Sequence, residues 1–293
     1  MKIFVFGLGQ SALTLVRGHR KRFAAVAGTV RGAEKAEALR GEGIAAYRFA
    51  EDGTDDGIAE AFAGSDAVLV SIPSGLAGDP ALARFGDAIT RAPKIGWIGY
   101  LSTIGVYGDH GGAWIDETIP VDPQDERARR RIAAEGGWLD LGARSGKPAH
   151  VFRLGGIYGP GANPLRNLRA GTARRIVKPG QVFNRVHMED IASAVLASLA
   201  RPQAGAVYNV VDDEPAPPQD VVAYAAGLLG LPAPPEEPFD PERMTPMAVS
   251  FYGRNKRVSN ARLKRDLGWR PLYPTYREGL AALLAAGEGA QAA

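Results

Sequence analysis

One hexapeptide constrains this chain more than any other feature. Gly7-Leu8-Gly9-Gln10-Ser11-Ala12 follows directly on the apolar run Ile3-Phe4-Val5-Phe6. Glycine at position 7 permits a tight turn, glycine at 9 lets the backbone approach a ligand, and Ala12 lets a helix pack closely on a sheet. A helix that starts here turns free N–H groups and the positive end of its dipole toward bound phosphate. The G-x-G-x-x-A spacing alone is a weak signal. Placed at the first strand-to-helix turn of a βαβ pattern it points to a dinucleotide, with Gly7, Gly9, Gln10, Ser11 and Ala12 as its expected contacts. A glycine turn that holds no ligand is the alternative.

The pattern continues along the chain. Short apolar runs at 3–6, 24–28, 45–49, 67–72, 95–102, 149–154 and 206–211 read as strands. Several are apolar on consecutive residues, as expected for strands covered on both faces. Helical stretches at 11–20, 33–40, 55–63, 80–91, 127–144 and 188–199 alternate with them, which predicts an α/β fold with a doubly wound parallel sheet of Rossmann type. After Val211 the character changes. Asp212–Pro218 is acidic and proline-rich, Leu231–Pro246 holds further prolines, and helices are expected at 219–229, 260–266 and 275–286 before an Ala/Gly-rich end expected to fray.

Composition excludes several classes. The chain has 293 residues, 45% hydrophobic and 23% charged, enough for a large core. It has no cysteine, so disulfides and thiolate chemistry are absent, and its four histidines lack metal-ligand spacing. No apolar run is long enough to cross a bilayer, and the first residues are too soon broken by glycine for a signal peptide, so a cytoplasmic protein without membrane attachment is expected. The net charge is only +3, and the basic stretches 127–131, 174–175 and 254–265 read as solvated faces rather than a nucleic-acid surface.

The end of the second strand bears on the cofactor. An NAD site places an acid there to bind the ribose hydroxyls. This chain has Gly28-Thr29-Val30-Arg31-Gly32-Ala33-Glu34-Lys35 instead. Thr29, Arg31 and Lys35 could bind a 2′-phosphate, and a guanidinium fork suits that task. NADP is favoured, with NAD and a plain surface arginine left open. Ser71 and Pro73, at the end of the fourth strand, are further expected cofactor contacts.

From the fifth strand onward the sequence resembles the extended short-chain dehydrogenase/reductase superfamily, in its NAD-dependent epimerase/dehydratase group. The resemblance rests on Tyr100-Leu101-Ser102-Thr103-Ile104-Gly105-Val106-Tyr107-Gly108, on Arg153 with Ile157-Tyr158-Gly159-Pro160-Gly161, and on Val186-His187-Met188-Glu189-Asp190-Ile191. Tyr208-Asn209-Val210 and Leu267-Gly268-Trp269-Arg270-Pro271 complete the series. It implies a Rossmann domain over 1–157 and 182–211, with a small C-terminal substrate-binding part over 158–181 and 212–293. It also implies a small-molecule substrate and, as in many members, a homodimer.

The resemblance breaks at the catalytic pair. Family reductases use a Ser or Thr with a Tyr-x-x-x-Lys pair on one helical face, the Tyr giving a proton and the Lys holding the nicotinamide ribose. Thr103 matches the Ser/Thr position. Alignment on Glu135 puts Arg127 where Tyr belongs and Arg131 where Lys belongs. Arg131 could still hold ribose or phosphate, but Arg127 cannot give up a proton. Tyr107 and His110 are the remaining candidate acids, against structural and solvated alternatives.

On the substrate side, Phe183 stands where sugar-nucleotide members carry a phosphate-gripping Arg. Arg185 could substitute, with Asn184, Lys178 or the basic group Arg254, Lys256 and Arg257 in support, and His187 is the family's histidine. Trp97, Trp114 and Trp138 read as packing residues. The expectation is an NADP-dependent oxidoreductase or epimerase/dehydratase-like enzyme for a small polar or anionic substrate. A non-catalytic NADP-binding sensor is the alternative.

Overall fold

The computed structural model describes residues 1–289. In chain order its elements are β1 (Lys2–Phe6), α1 (Gln10–Gly18), β2 (Ala25–Val30), α2 (Ala33–Gly41), β3 (Ala45–Ala50), β4 (Gly53–Thr54), α3 (Ile58–Ala63), β5 (Ala67–Val70), α4 (Pro80–Arg91), β6 (Trp97–Thr103), β7 (Trp114–Ile115) and α5 (Glu126–Ser145). They continue as β8 (Ala149–Leu154), β9 (Gly156–Tyr158), α6 (Pro164–Arg169), β10 (Arg175–Val177), β11 (Arg185–His187), α7 (Met188–Ala200), β12 (Ala206–Val210), α8 (Pro218–Leu228), β13 (Glu236–Pro238), α9 (Pro246–Tyr252), β14 (Arg257–Val258), α10 (Ala261–Leu267) and α11 (Tyr276–Ala285). The chain end expected to fray lies largely outside the described residues.

Two compact units emerge. The first comprises Met1–Val106, Pro123–Arg153 and Ile191–Tyr208. The second comprises Tyr107–Asp122, Leu154–Asp190 and the chain from Asn209 onward. Residues 107–122, inside the first expected domain, cluster with the second unit, as do 182–190.

The first unit is built on an eight-stranded sheet in the order β12-β8-β6-β5-β1-β2-β3-β4. β3, β2, β1, β5 and β6 run parallel, and the short β4 turns back antiparallel on β3. The strand order reverses between β1 and β5, the switch point where α/β sheets bind ligands at their carboxyl ends. Apolar side chains lock this part together: Phe4, Phe6, Phe62 and Phe85 form a cluster of rings 4.8 to 6.1 Å apart.

Helices α4 and α5 start where their caps dictate. Asp79 accepts from the Leu82 N–H with Pro80 in the first turn, and Asp125 accepts from the Ala128 N–H. The far end of α5 stops at Gly146, whose φ of 67° suits a left-handed C-cap. A buried ion pair ties α5 to β8: Arg153 donates from Nε and Nη2 to Glu135 Oε2 at 3.1 and 2.7 Å. The Ser102 hydroxyl on β6 donates to the same carboxylate. Removing one partner of such a pair costs about 3–5 kcal/mol, because a charge stays buried.

The second unit uses short pieces. β9 pairs with β11, β10 with β13, and β7 with β14, each in parallel. Its apolar core gathers Leu165, Val221, Ala225, Tyr276, Leu280 and Leu283. Helix α11 begins with a capping box of Thr275 and Glu278. Trp97 and Trp138 are buried as expected, but Trp114 is 60% exposed. β7 is two residues long, and side chains alternate faces along a strand, so its buried contact falls to Ile115.

Candidate functional site

The glycine loop leaves β1 at its carboxyl end. Gly7 has φ +92°, and a Cβ there would stand 2.5 Å from the Ile72 side chain, so only glycine fits. At Gly9 an added Cβ would meet nothing within 4 Å, so the space above the backbone is open. Helix α1 starts at Gln10 with Gly9 as its cap residue and no side-chain cap bond, and its first turn carries no acid. Its leading N–H groups are therefore available to an anion. Ala12 is buried beneath them, while Gln10 is exposed and Ser11 half-buried at the mouth. The fit to a pyrophosphate rests on these features of backbone and space.

The switch point is held by bonds across three strands. The Gly7 N–H donates to the Thr29 hydroxyl oxygen at 3.0 Å, Leu8 N–H to the Thr29 carbonyl, and Ser71 N–H to the Phe6 carbonyl. This corrects the expectation for Thr29. It is 1% exposed and shapes the glycine loop, so it cannot reach a 2′-phosphate. Arg31 and Lys35 are exposed, and neither side chain has a polar partner among the described residues. Arg48 at the end of β3 was not anticipated. Its Nε donates to the Arg31 carbonyl at 3.3 Å, but its charge is matched by Asp52 at 2.6 Å.

On the other side of the switch point lie Ser71, half-buried, and Pro73, exposed. Thr103 ends β6 partly exposed. Its Oγ1 accepts from the Gly105 N–H at 3.0 Å, which leaves its own O–H free to donate. Arg131 turns inward from α5 and donates from Nη1 to the Tyr100 hydroxyl at 2.9 Å and to the Leu101 carbonyl at 3.0 Å. Arg127, one turn earlier, is exposed. Ser74 Oγ lies 3.3 Å from the Tyr100 hydroxyl. Sequence spacing gave no sign of this Ser74–Tyr100–Arg131 chain, because its members stand 26 and 31 residues apart.

The remaining candidates belong to the second unit, and several are committed inside it. Tyr107 is fully buried and its hydroxyl donates to Asn209 Oδ1 at 2.8 Å, which removes it as an acid. The His110 ring lies 2.8 Å, through Nε2, from the Tyr107 carbonyl, as a loop brace. Asn184 is saturated: its amide donates to the Lys256 carbonyl and its oxygen accepts from the Val258 N–H, so it clamps β14 rather than a substrate. Phe183 packs edge-on against Tyr252 at 5.1 Å. Lys178 donates to the Tyr252 carbonyl, and buried Lys256 to the Gly108 carbonyl at 2.7 Å, with its pKa pulled down to about 8 by burial.

His187 is buried between Tyr158 and Tyr273, with ring centroids 5.1 and 4.3 Å away. Its Nδ1 accepts from the Glu189 N–H at the start of α7, and burial lowers its pKa to about 4, so it is a neutral structural ring. Arg185 differs from these neighbours. Only its Nη1 is used, on the Phe183 and Ala216 carbonyls at 2.9 and 3.1 Å, and the residue is partly exposed. Behind it, burial raises the Asp212 carboxyl well above its usual range, against the opposing pull of Arg185. Among the described residues there is no cluster of potential metal ligands and no helix long and apolar enough to cross a membrane.

The sheet order and the open glycine loop define a dinucleotide-binding α/β protein. Comparison with known proteins narrows this. No protein-family model matches the chain. A conserved protein of unknown function from Silicibacter pomeroyi is 48% identical, with a TM-score of 0.87 over 98% of this chain and 99% of that one. GDP-6-deoxy-D-mannose reductase from Pseudomonas aeruginosa is 30% identical over 202 residues, covering 63% of this chain and 64% of the reductase. dTDP-glucose 4,6-dehydratase from Bacillus anthracis, in complex with NAD, has the same fold at 18% identity, with a TM-score of 0.78 over 99% and 97% of the two chains. The chain therefore shares the fold of these epimerase/dehydratase structures and is similar in sequence to the reductase over about two thirds of its length.

Proposed function

We propose that the protein is an NADP(H)-dependent oxidoreductase or epimerase/dehydratase-like enzyme for a small polar or anionic substrate. The observation that carries the cofactor reading is the pairing of an uncapped, acid-free α1 N-terminus with two unpartnered cations, Arg31 and Lys35, beyond β2. The backbone N–H groups of Gln10 and Ser11 hold the pyrophosphate in the open space above Gly9, and Arg31 with Lys35 takes the 2′-phosphate. Bound nicotinamide supplies or accepts a hydride. Thr103 offers a hydroxyl donor at the end of β6, and the unused part of the Arg185 guanidinium suits an anionic substrate group.

The sensor reading draws on one observation: exposed Arg127 stands where the family's proton donor belongs. Titration with NADPH and NADH, followed by fluorescence, tests the cofactor assignment. NADPH is expected to bind more tightly, and Arg31→Ala to weaken it by about tenfold or more while leaving NADH unchanged. Equal binding of both would remove the NADP preference, and binding of neither would remove enzyme and sensor alike. NADPH oxidation across a panel of carbonyl compounds then separates enzyme from sensor.

A further inference from the structure

Arginine can only donate, so in the Ser74–Tyr100–Arg131 chain the bond from Arg131 to the Tyr100 oxygen has one direction. Arg131 Nη1 gives a proton to the Tyr100 oxygen at 2.9 Å. Ser74 Oγ lies 3.3 Å from the Tyr100 hydroxyl, with either oxygen able to donate. Ser74 is only half-buried. Tyr100 itself is fully buried and touches no solvent. The chain therefore starts on a cation, runs through an enclosed phenol and ends on a hydroxyl at the surface of the first unit.

Arg131 is held but not used up. One nitrogen serves both Tyr100 and the Leu101 carbonyl, while Nε and Nη2 have no partner among the described residues and are not sealed from solvent. Among the described residues no carboxylate pairs with the guanidinium. Asp79, which interacts with Arg131 through charge, is committed to the Leu82 N–H and to the Trp138 indole at 3.2 Å. The position presents held donors on a cation.

Location gives this a meaning. Ser74 follows β5 and Tyr100 lies on β6, both on the side of the switch point away from β2. A dinucleotide laid across the switch point with its adenine half toward Arg31 puts its other half over β5 and β6. We infer that Tyr100 and Ser74 are positioning residues that hold Arg131 as the hydrogen-bond fork for the nicotinamide-ribose half of the cofactor. This rests on the cofactor reading above and adds to it a recognition element assembled from three separate segments.

Calorimetric titration with two probes tests it: NADPH, and adenosine 2′,5′-bisphosphate, which carries only the adenine half. Tyr100→Phe is expected to weaken NADPH by about five- to tenfold and to leave the bisphosphate unchanged. Ser74→Ala should weaken NADPH by about twofold, and Tyr100→Phe added to Arg131→Ala should cost nothing beyond Arg131→Ala alone. Wild-type affinity for NADPH in Tyr100→Phe, or equal losses for both probes, overturns the inference. If the wild-type protein binds neither probe, the cofactor reading itself fails, and the inference with it.

Discussion

The two units use their polar side chains in opposite ways. In the first, donors gathered at the carboxyl ends of the strands are left open: the α1 N-terminus has no cap, Arg31 and Lys35 have no partner, and Arg131 spends one nitrogen of three. In the second, Asn184, Lys256 and Tyr107 are buried and bonded to the chain around them. All of these residue types can bind ligands. What separates them is whether folding has already used their hydrogen bonds, since a satisfied buried group holds structure and an unsatisfied open one waits for a partner. In the second unit Arg185 also keeps guanidinium nitrogens unused and is partly exposed, which makes it a candidate for touching a substrate.

The largest effect expected from this contrast comes at Gly7. Gly7→Ala forces a side chain into a left-handed backbone and against Ile72, a strain of about 1–3 kcal/mol placed on the loop that cradles the phosphates. NADPH affinity should fall by about a hundredfold, with the strain also lowering the melting temperature by a few degrees. Asn184→Ala should move stability alone. It orphans a carbonyl and an N–H, costing about 2 kcal/mol of stability with NADPH affinity unchanged. If Asn184→Ala altered cofactor affinity instead, the division between spent and open donors would not hold.

Much of this was legible in the chain. Seven of the sheet's strands and most of the helices follow from apolar runs of four to eight residues and their spacing, and the glycine loop announced itself because it needs a particular residue at a particular turn. The short strands were not, since β7, β9, β10, β11, β13 and β14 span two or three residues, too few for any period to show. Site residues split along the same line. Gly7 and Arg31 could be read from local chemistry, whereas the commitments of Thr29, Tyr107 and Asn184 depend on partners 22, 102 and 72 residues away. Sequence supplies the residue type, and only the fold says whether its hydrogen bonds are already taken.

A smaller effect sharpens the contrast through pH. His187 titrates near 4 in the folded protein against about 6.5 for a free histidine, because burial disfavours its charged form. The unfolded chain takes up this proton first as pH falls, so stability declines between about pH 6.5 and 4, by at most about 1.4 kcal/mol per pH unit. Asp190, pushed up to about 6 by burial, works the opposite way below pH 6, but it is common to wild type and His187→Gln. Melting curves should therefore show the wild type losing ground to His187→Gln from pH 7 to 5, and parallel curves would mean His187 is not the buried neutral ring described. The smallest effect is at Lys35, where Lys35→Ala should weaken NADPH by only about twofold, as befits an exposed charge.

The central claim is that the open donors of the first unit form the cofactor site. A crystal structure grown with NADPH tests it most directly. The account predicts the pyrophosphate against the N–H groups of Gln10 and Ser11 and the 2′-phosphate beside Arg31. Cofactor bound elsewhere, or a 2′-phosphate pointing away from Arg31 and Lys35 into solvent, would contradict it.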